Sequence, residues 1–182
     1  GLEGFEGSYA SVVRELRAIR GPRFKTATVS VPIETAPGEE AQFDWSDCTS
    51  WARDWGWECR LWCFGAILAW ARRRFWWFTT TDDRQHTFEA LVRALEHFAG
   101  VPKVLRTDRM GTLGASKGHR FTAYPPTVEF ARHHGVELVV CRAGDAKRKG
   151  KVERPFRHLK ESFLAELAVA GPPADLAELN AR

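Results

Sequence analysis

Apolar and polar positions change period several times along this chain, and each change marks an element. Over residues 8–20, Val12, Leu16 and Ile19 recur at helical spacing behind Ser8 or Ser11 as caps, and Gly21-Pro22 ends the helix. Pro22, Pro32, Pro37 and Gly38 then interrupt any period, so residues 22–40 predict a linker or an extended arm. Ala41–Asp47 predicts a short strand with Asp44 between two aromatics. Two more aromatic, β-favouring runs follow at about Trp57–Ala66 and Trp70–Thr80. Helical spacing returns at about Asp83–Ala99, where Phe88, Leu91, Val92, Leu95 and Phe98 make a buried stripe. Thr81 or Asp82 is its predicted cap and Gly100 its stop. Lys103–Thr107 predicts a fourth strand running into Asp108. Residues 109–121 are rich in Gly and basic side chains without periodicity, which predicts a mobile loop. A helix at about Pro126–His134 ends at Gly135, and Val136–Cys141 predicts a fifth, buried strand. A helix of about Lys149–Ala168 stops at Gly171-Pro172-Pro173, and residues 174–182 open another.

Three adjacent strands with short connections favour an antiparallel meander, and strands separated by helices add in parallel through right-handed crossovers. The predicted fold is α/β: a mixed five-stranded sheet with helices on both faces. At 182 residues the chain supports one well-buried domain.

A composition of 44% hydrophobic residues excludes a disordered chain. The net charge of +4 is modest but unevenly spread. Arg142, Lys147, Arg148, Lys149, Lys151, Arg154, Arg157 and Lys160 crowd into residues 142–160 against only Asp145 and Glu153. Such a patch suits a phosphate backbone better than a small acidic metabolite. Cys48, Cys59, Cys63 and Cys141 form no C-x-x-C pair, which argues against zinc and against a disulfide framework. No apolar run approaches a membrane span, so the chain reads as cytoplasmic. All eight Trp lie between Trp45 and Trp77. Sheet packing is the ordinary reading of that cluster, and stacking on unpaired bases the sharper one.

Three acids sit at telling places. Asp44 is inside the first strand, flanked by Phe43 and Trp45, where burying an unpaired charge is costly. Asp108 ends the fourth strand, at the edge where open α/β sheets place their ligands. Glu153 lies in the first turn of the last long helix. If the first and fourth strands are neighbours, the two aspartates come side by side and the helix lays Glu153 across them. Converging carboxylates repel unless a cation holds them, and hard oxygen ligands suit Mg²⁺ or Mn²⁺. Two such ions about 4 Å apart activate a water or a 3′-hydroxyl and stabilise the leaving oxygen of a phosphodiester. Lys160, two turns after Glu153, shares its helix face and is placed to touch a phosphate. The plainer reading makes each acid a solvated charge or a cap, as for Asp47, Asp54, Asp82, Asp83 and Asp145.

Gln42-Phe43-Asp44-Trp45, Gly100-Val101-Pro102 leading to Thr107-Asp108-Arg109, and Lys149-Gly150-Lys151-Val152-Glu153-Arg154 together resemble the catalytic core of IstA-type insertion-sequence transposases. That family belongs to the DDE transposase and retroviral integrase superfamily. The resemblance covers residues 39–168 and implies an RNase H-like fold. It makes Asp44, Asp108 and Glu153 the catalytic triad holding two Mg²⁺ or Mn²⁺ ions. It implies cleavage of DNA at the 3′ ends of the element and strand transfer into a target. It also implies assembly as a homo-oligomer on DNA and a helper ATPase of the AAA+ class. Lys147, Arg148, Lys149, Lys151, Arg154, Arg157, Lys160 and Arg109 are the expected DNA-binding residues. Residues 1–21 then resemble the tail of a helix-turn-helix region, 22–38 a linker, 39–170 the core, and 171–182 the start of a connection to a C-terminal domain. The chain departs from the family in two places. Arg109 stands where Asn usually follows the second Asp, bringing a cation that either competes with a metal or binds phosphate. Trp51-Ala-Arg-Asp-Trp-Gly-Trp57, read as a hairpin, has no counterpart. The rival functions are an RNase H-like nuclease without strand transfer and an inactive DNA-binding remnant.

Overall fold

In a computed structural model of the protein, residues 14–15, 35–141 and 155–182 are described. The chain divides into Gly1–Pro32 and Ile33–Arg182, and the sheet with its helices belongs to the second unit. Apart from helical residues 14 and 15, the expected N-terminal helix lies outside the described residues. So do the linker up to residue 34 and the basic segment 142–154.

The elements in order are β1 (Glu40–Asp47), α1 (Thr49–Asp54), β2 (Trp62–Leu68), β3 (Arg74–Thr79), α2 (Arg84–Phe98), β4 (Val104–Thr107), β5 (Gly114–Lys117), β6 (Arg120–Ala123), α3 (Pro125–His134) and β7 (Glu137–Val140). After the undescribed segment come helical residues 155–158, a π-helical turn at Leu159–Phe163, α4 (Leu164–Ala170) and α5 (Leu176–Ala181). Five strands form one sheet in the order β3-β2-β1-β4-β7. The first three pair antiparallel, and β4 and β7 add in parallel, as expected.

Strand alternation builds a core on each side. Ala41, Phe43, Phe64, Ala66 and Leu105 pack with Ala90, Leu91, Ala94 and Phe98 of α2 on one face. Cys63, Ile67 and Phe78 pack with Phe156, Leu159, Leu164, Leu167 and Leu179 on the other. Fully burying a side chain such as Phe43 or Phe64 contributes about 1.5–3 kcal/mol, so these two layers supply the main drive to fold. No helix among the described residues is long and apolar enough to cross a membrane.

Several local expectations change. Residues 51–57 are not a hairpin: α1 forms there because Trp51 and Trp55, four apart, share a helical face and pack with Trp57 on the second core. Seven of the eight Trp are at least half-buried, as packing predicts, whereas Trp70 in the β2–β3 turn is 61% exposed. Asp83, not Thr81 or Asp82, caps α2 by accepting the His86 N–H at 3.0 Å, and Thr81 supports it by donating its hydroxyl to Asp83. The helix stops one residue early, at Ala99, in the left-handed region at φ +55°. β7 is half-buried rather than buried because it forms an edge of the sheet.

Residues 109–121 are not a mobile loop. β5 and β6 pair as a hairpin across Gly118, whose φ is +57°. Small residues hide the alternation there for a reason: a Cβ on Gly114 would lie 2.4 Å from the Phe121 ring. The last long helix carries the π turn because Leu159 and Leu164, five residues apart, are both buried. One i→i+5 turn aligns two stripes that an unbroken α-helix would rotate apart. α5 covers the β3 edge, where the Asn180 side chain accepts the Phe78 N–H at 2.7 Å and donates to the Phe78 carbonyl at 2.9 Å. A single amide thus stands in for a further strand.

Asn180→Ala leaves both Phe78 groups unpaired and is expected to cost about 1–3 kcal/mol by thermal or urea unfolding. Asp83→Ala is expected to remove about 1 kcal/mol at neutral pH. The Asp83 carboxyl lies at about 2, below its ordinary 3.8, chiefly because the His86 backbone N–H donates to it. Its ionic contribution is therefore present above about pH 4 and lost as pH falls toward 2, so the stability gap between variant and parent narrows across that window.

Candidate active site

Alternation along β1 sends Ala41, Phe43 and Trp45 into the first core and leaves Glu40, Gln42 and Asp44 on the opposite face. Trp45 fixes this end of the strand by donating its indole N–H to Thr87 Oγ1 at 3.0 Å, and the Thr87 hydroxyl donates to the Asp83 carbonyl at 2.7 Å. Asp44 is half-buried, and its Oδ1 accepts the Trp45 backbone N–H at 2.9 Å.

β4 lies parallel to β1, with Glu40 facing Val104, Ala41 facing Leu105 and Gln42 facing Arg106. The same offset, continued two residues, sets Asp44 abreast of Asp108, the first residue beyond β4 and also half-buried. A half-buried ion pair guards this register. Arg106 donates through Nε and Nη2 to Glu40 Oε2 at 2.9 and 2.8 Å, with the two side chains only 14% and 12% exposed. Gln42 Nε2 donates to the other Glu40 oxygen at 2.8 Å. The Glu40 hydrogen bond raises the Arg106 pKa above its ordinary value, so the guanidinium stays charged.

Directly across β1 and β2, Asp44 faces Gly65. A Cβ on Gly65 would lie 2.4 Å from the Trp76 ring and 2.6 Å from the Phe156 ring, so this glycine is the seat on which the last helix rests. Lys160 Nζ donates to the Asp47 carbonyl at 2.9 Å, tying the same helix to the end of β1. Asp47 itself is lowered in pKa by the Thr49 hydroxyl and backbone N–H. Burial pushes the Cys48 thiol up to about 11 and the Cys63 thiol well above its ordinary value, so neither is a thiolate nucleophile.

Of the residues singled out from the sequence, Asp44 and Asp108 come together. Glu153, Lys147, Arg148, Lys149, Lys151 and Arg154 lie outside the described residues. Arg157 is exposed, and Lys160 is half-buried at the end of β1. Arg109 turns its guanidinium to the hairpin, Nη1 donating to the Gly118 carbonyl at 2.6 Å and Nη2 to the His119 carbonyl at 2.8 Å. Among the described residues no three His, Cys, Asp or Glu group closely enough to hold a metal ion. The two aspartates nevertheless offer the hard, partly desolvated oxygen donors that Mg²⁺ or Mn²⁺ takes. Sequence reasoning missed the Glu40–Arg106 pair and the hairpin that sets Lys117 opposite Arg120. The alternation of Glu40, Gln42 and Asp44 signals the first, and Lys117-Gly118-His119-Arg120 the second.

A family model described as integrase core domain matches residues 34–146. The putative transposase for insertion sequence element IS5376 of Geobacillus stearothermophilus is 32% identical over 168 residues, covering 88% of this chain and 40% of that protein. This chain therefore spans about two fifths of that relative's length. Among solved structures, a chain of the simian T-cell lymphotropic virus intasome in complex with PP2A regulatory subunit B56 gamma superposes with a TM-score of 0.65. It is 12% identical over 81% of this chain and 48% of that one. The HTLV-2 integrase catalytic core domain in complex with magnesium gives a TM-score of 0.59 at 13% identity, covering 80% of this chain and 81% of that one. These likenesses bear out the RNase H-like fold.

Gly65→Ala tests the seat of the last helix. Overpacking against Trp76 and Phe156 is expected to cost about 1–3 kcal/mol in unfolding experiments. Trimming the neighbour in Gly65→Ala/Phe156→Leu should recover part of that loss.

Proposed function

Because this chain belongs to the integrase core domain family, we propose that it is the catalytic core of a DNA transposase, which cleaves DNA at insertion-sequence ends and transfers the 3′ ends to a target. The observation that carries this reading is the β1–β4 register, in which Gln42 faces Arg106 two residues ahead of each aspartate. Relatives described as insertion-sequence transposases support the same reading. Asp44 and Asp108 are two of the three carboxylates, and Glu153 is the third. Phe156, three residues further along the chain, supports that choice, because it rests against Gly65, the cross-strand partner of Asp44.

An all-oxygen donor set of this kind suits a pair of Mg²⁺ or Mn²⁺ ions, which when bound supply Lewis acidity to the phosphodiester and a more acidic attacking hydroxyl. The HTLV-2 core, which shares the fold, was solved in complex with magnesium. The chain's own residues do the rest. The strand backbone and the Trp45 N–H fix the direction of Asp44. Lys147, Arg148, Lys149, Lys151, Arg154, Arg157 and Lys160 neutralise the DNA backbone along the last helix and the segment before it. Assembly as an oligomer on paired ends and an AAA+ helper belong to the same reading. So do a helix-turn-helix tail at residues 1–21, a linker at 22–38 and a further domain beyond 171–182.

The test uses this chain with pre-cleaved duplex ends, a target duplex and Mg²⁺ or Mn²⁺. Joined products are expected from the parent. Asp44→Asn and Asp108→Asn should each lose more than the roughly 10–100-fold that removing an outer partner of a metal site costs. Calorimetric titration with Mn²⁺ should show the site weakened in both variants. Short hydrolysis products alone would indicate a nuclease, and DNA binding without a carboxylate-dependent ion site an inactive remnant.

A further inference from the structure

Leu113 and Phe121 join the β5–β6 hairpin to the first core, whereas its charged residues Lys117 and Arg120 are exposed. From residue 109 to residue 124 the chain carries Arg109, Lys117 and Arg120 and no carboxylate. Lys117 and Arg120 are exposed and stand directly opposite each other at the last pair before the turn. Like charges in a cross-strand pair destabilise it, and a two-stranded ribbon is marginal to begin with. The hairpin is nonetheless fixed at both ends. At its base the Leu113 carbonyl accepts the Thr127 hydroxyl at 2.8 Å and the Tyr124 N–H at 3.0 Å. At its tip the Arg109 fork bonds two successive turn carbonyls. Arg109 Nε is buried and has no acceptor among the described residues, so the guanidinium is wedged beneath the turn. Arg109 directly follows Asp108, which brings the tip and its cations within one arginine side chain of the aspartate pair.

We propose that this hairpin is a phosphate-binding arm for the DNA strand entering the Asp44–Asp108 site, and that Arg109 is the positioning residue that holds it there. The inference rests on the transposase reading above. A phosphate between Lys117 and Arg120 relieves the repulsion the free hairpin carries. Arg109 directs its donors at two carbonyls, so it neither binds the DNA itself nor competes with a cation at the acids.

The test is binding of a fluorescein-labelled DNA duplex to the whole chain over a salt series, read by anisotropy. Lys117→Ala/Arg120→Ala should reduce the slope of log K against log salt by about 0.9, for the one phosphate no longer neutralised. It should not lower the melting temperature, since it removes a repulsive pair. Arg109→Lys and Arg109→Gln should each lose part of the affinity in the unaltered hairpin and none on the double-alanine background. An unchanged slope in the double variant overturns the hairpin's role. Parent-like binding by Arg109→Lys, or a loss that adds to that of the double variant, overturns the clasp. Should the unaltered chain fail to bind DNA at all, the transposase reading falls with the inference; normal parent binding with an unaffected double variant removes the inference alone.

Discussion

The parallel pairing of β1 with β4 is the constraint on which the rest of this site depends. Two acids 64 positions apart in sequence meet because Glu40 faces Val104 and Gln42 faces Arg106. A slip of one residue would invert β1, exposing Phe43 and Trp45 and sending Asp44 toward the first core. Burial of Ala41, Phe43 and Leu105 sets the register by hydrophobic means. The Glu40–Arg106 pair, with Gln42 completing the carboxylate's partners, sets it by charge. Removing two ions from water costs several kcal/mol each, so such a pair contributes little net stability. Its contribution is to penalise a misaligned strand, which would leave one of those half-buried charges without its partner.

The two faces of the sheet have different tasks. The face covered by α2 is closed by aliphatic and aromatic packing and carries Trp45, whose bond to Thr87 couples the site strand to the start of that helix. The opposite face bears Asp44 and receives the last helix. Gly65 lets the Phe156 ring settle against the strand beside Asp44, and Lys160 ties the helix to the Asp47 carbonyl. The π turn between these contacts adjusts the phase of the helix so that Phe156 and Leu159 on one side, and Leu164 and Leu167 on the other, reach the same core. At the sheet's margin Asn180 occupies the open edge of β3, so α5 covers what would otherwise be unpaired backbone.

Much of this was legible in the chain. Asp44 between two aromatics, Asp108 at the end of a β-favouring run, and a mixed sheet of three antiparallel and two parallel strands followed from period and spacing. The misreadings share a cause. Trp51–Trp57 looked β-like because aromatics favour strands, while the four-residue spacing of Trp51 and Trp55 satisfies a helix equally well, and packing decided between them. Residues 109–121 looked mobile because a stretch rich in glycine and basic side chains shows no hydrophobic period. Yet Gly114 is there so that Phe121 can lie against it, a requirement that involves a residue seven positions away. Arg109 looked like an intruder beside an acid expected to hold a metal, since nothing local shows that two turn carbonyls await its guanidinium.

The sequence by itself determined the class of fold and the two-sided burial of the sheet, and it singled out Asp44 and Asp108 as acids at strand positions, because these depend on local periodicity and on the cost of placing a carboxylate in an apolar strand. Only the tertiary structure decided which carboxylates are neighbours, which arginine pairs with Glu40 and which one secures a hairpin. Those outcomes depend on strand order and register, and they are fixed when residues distant in the chain compete to bury the same surface.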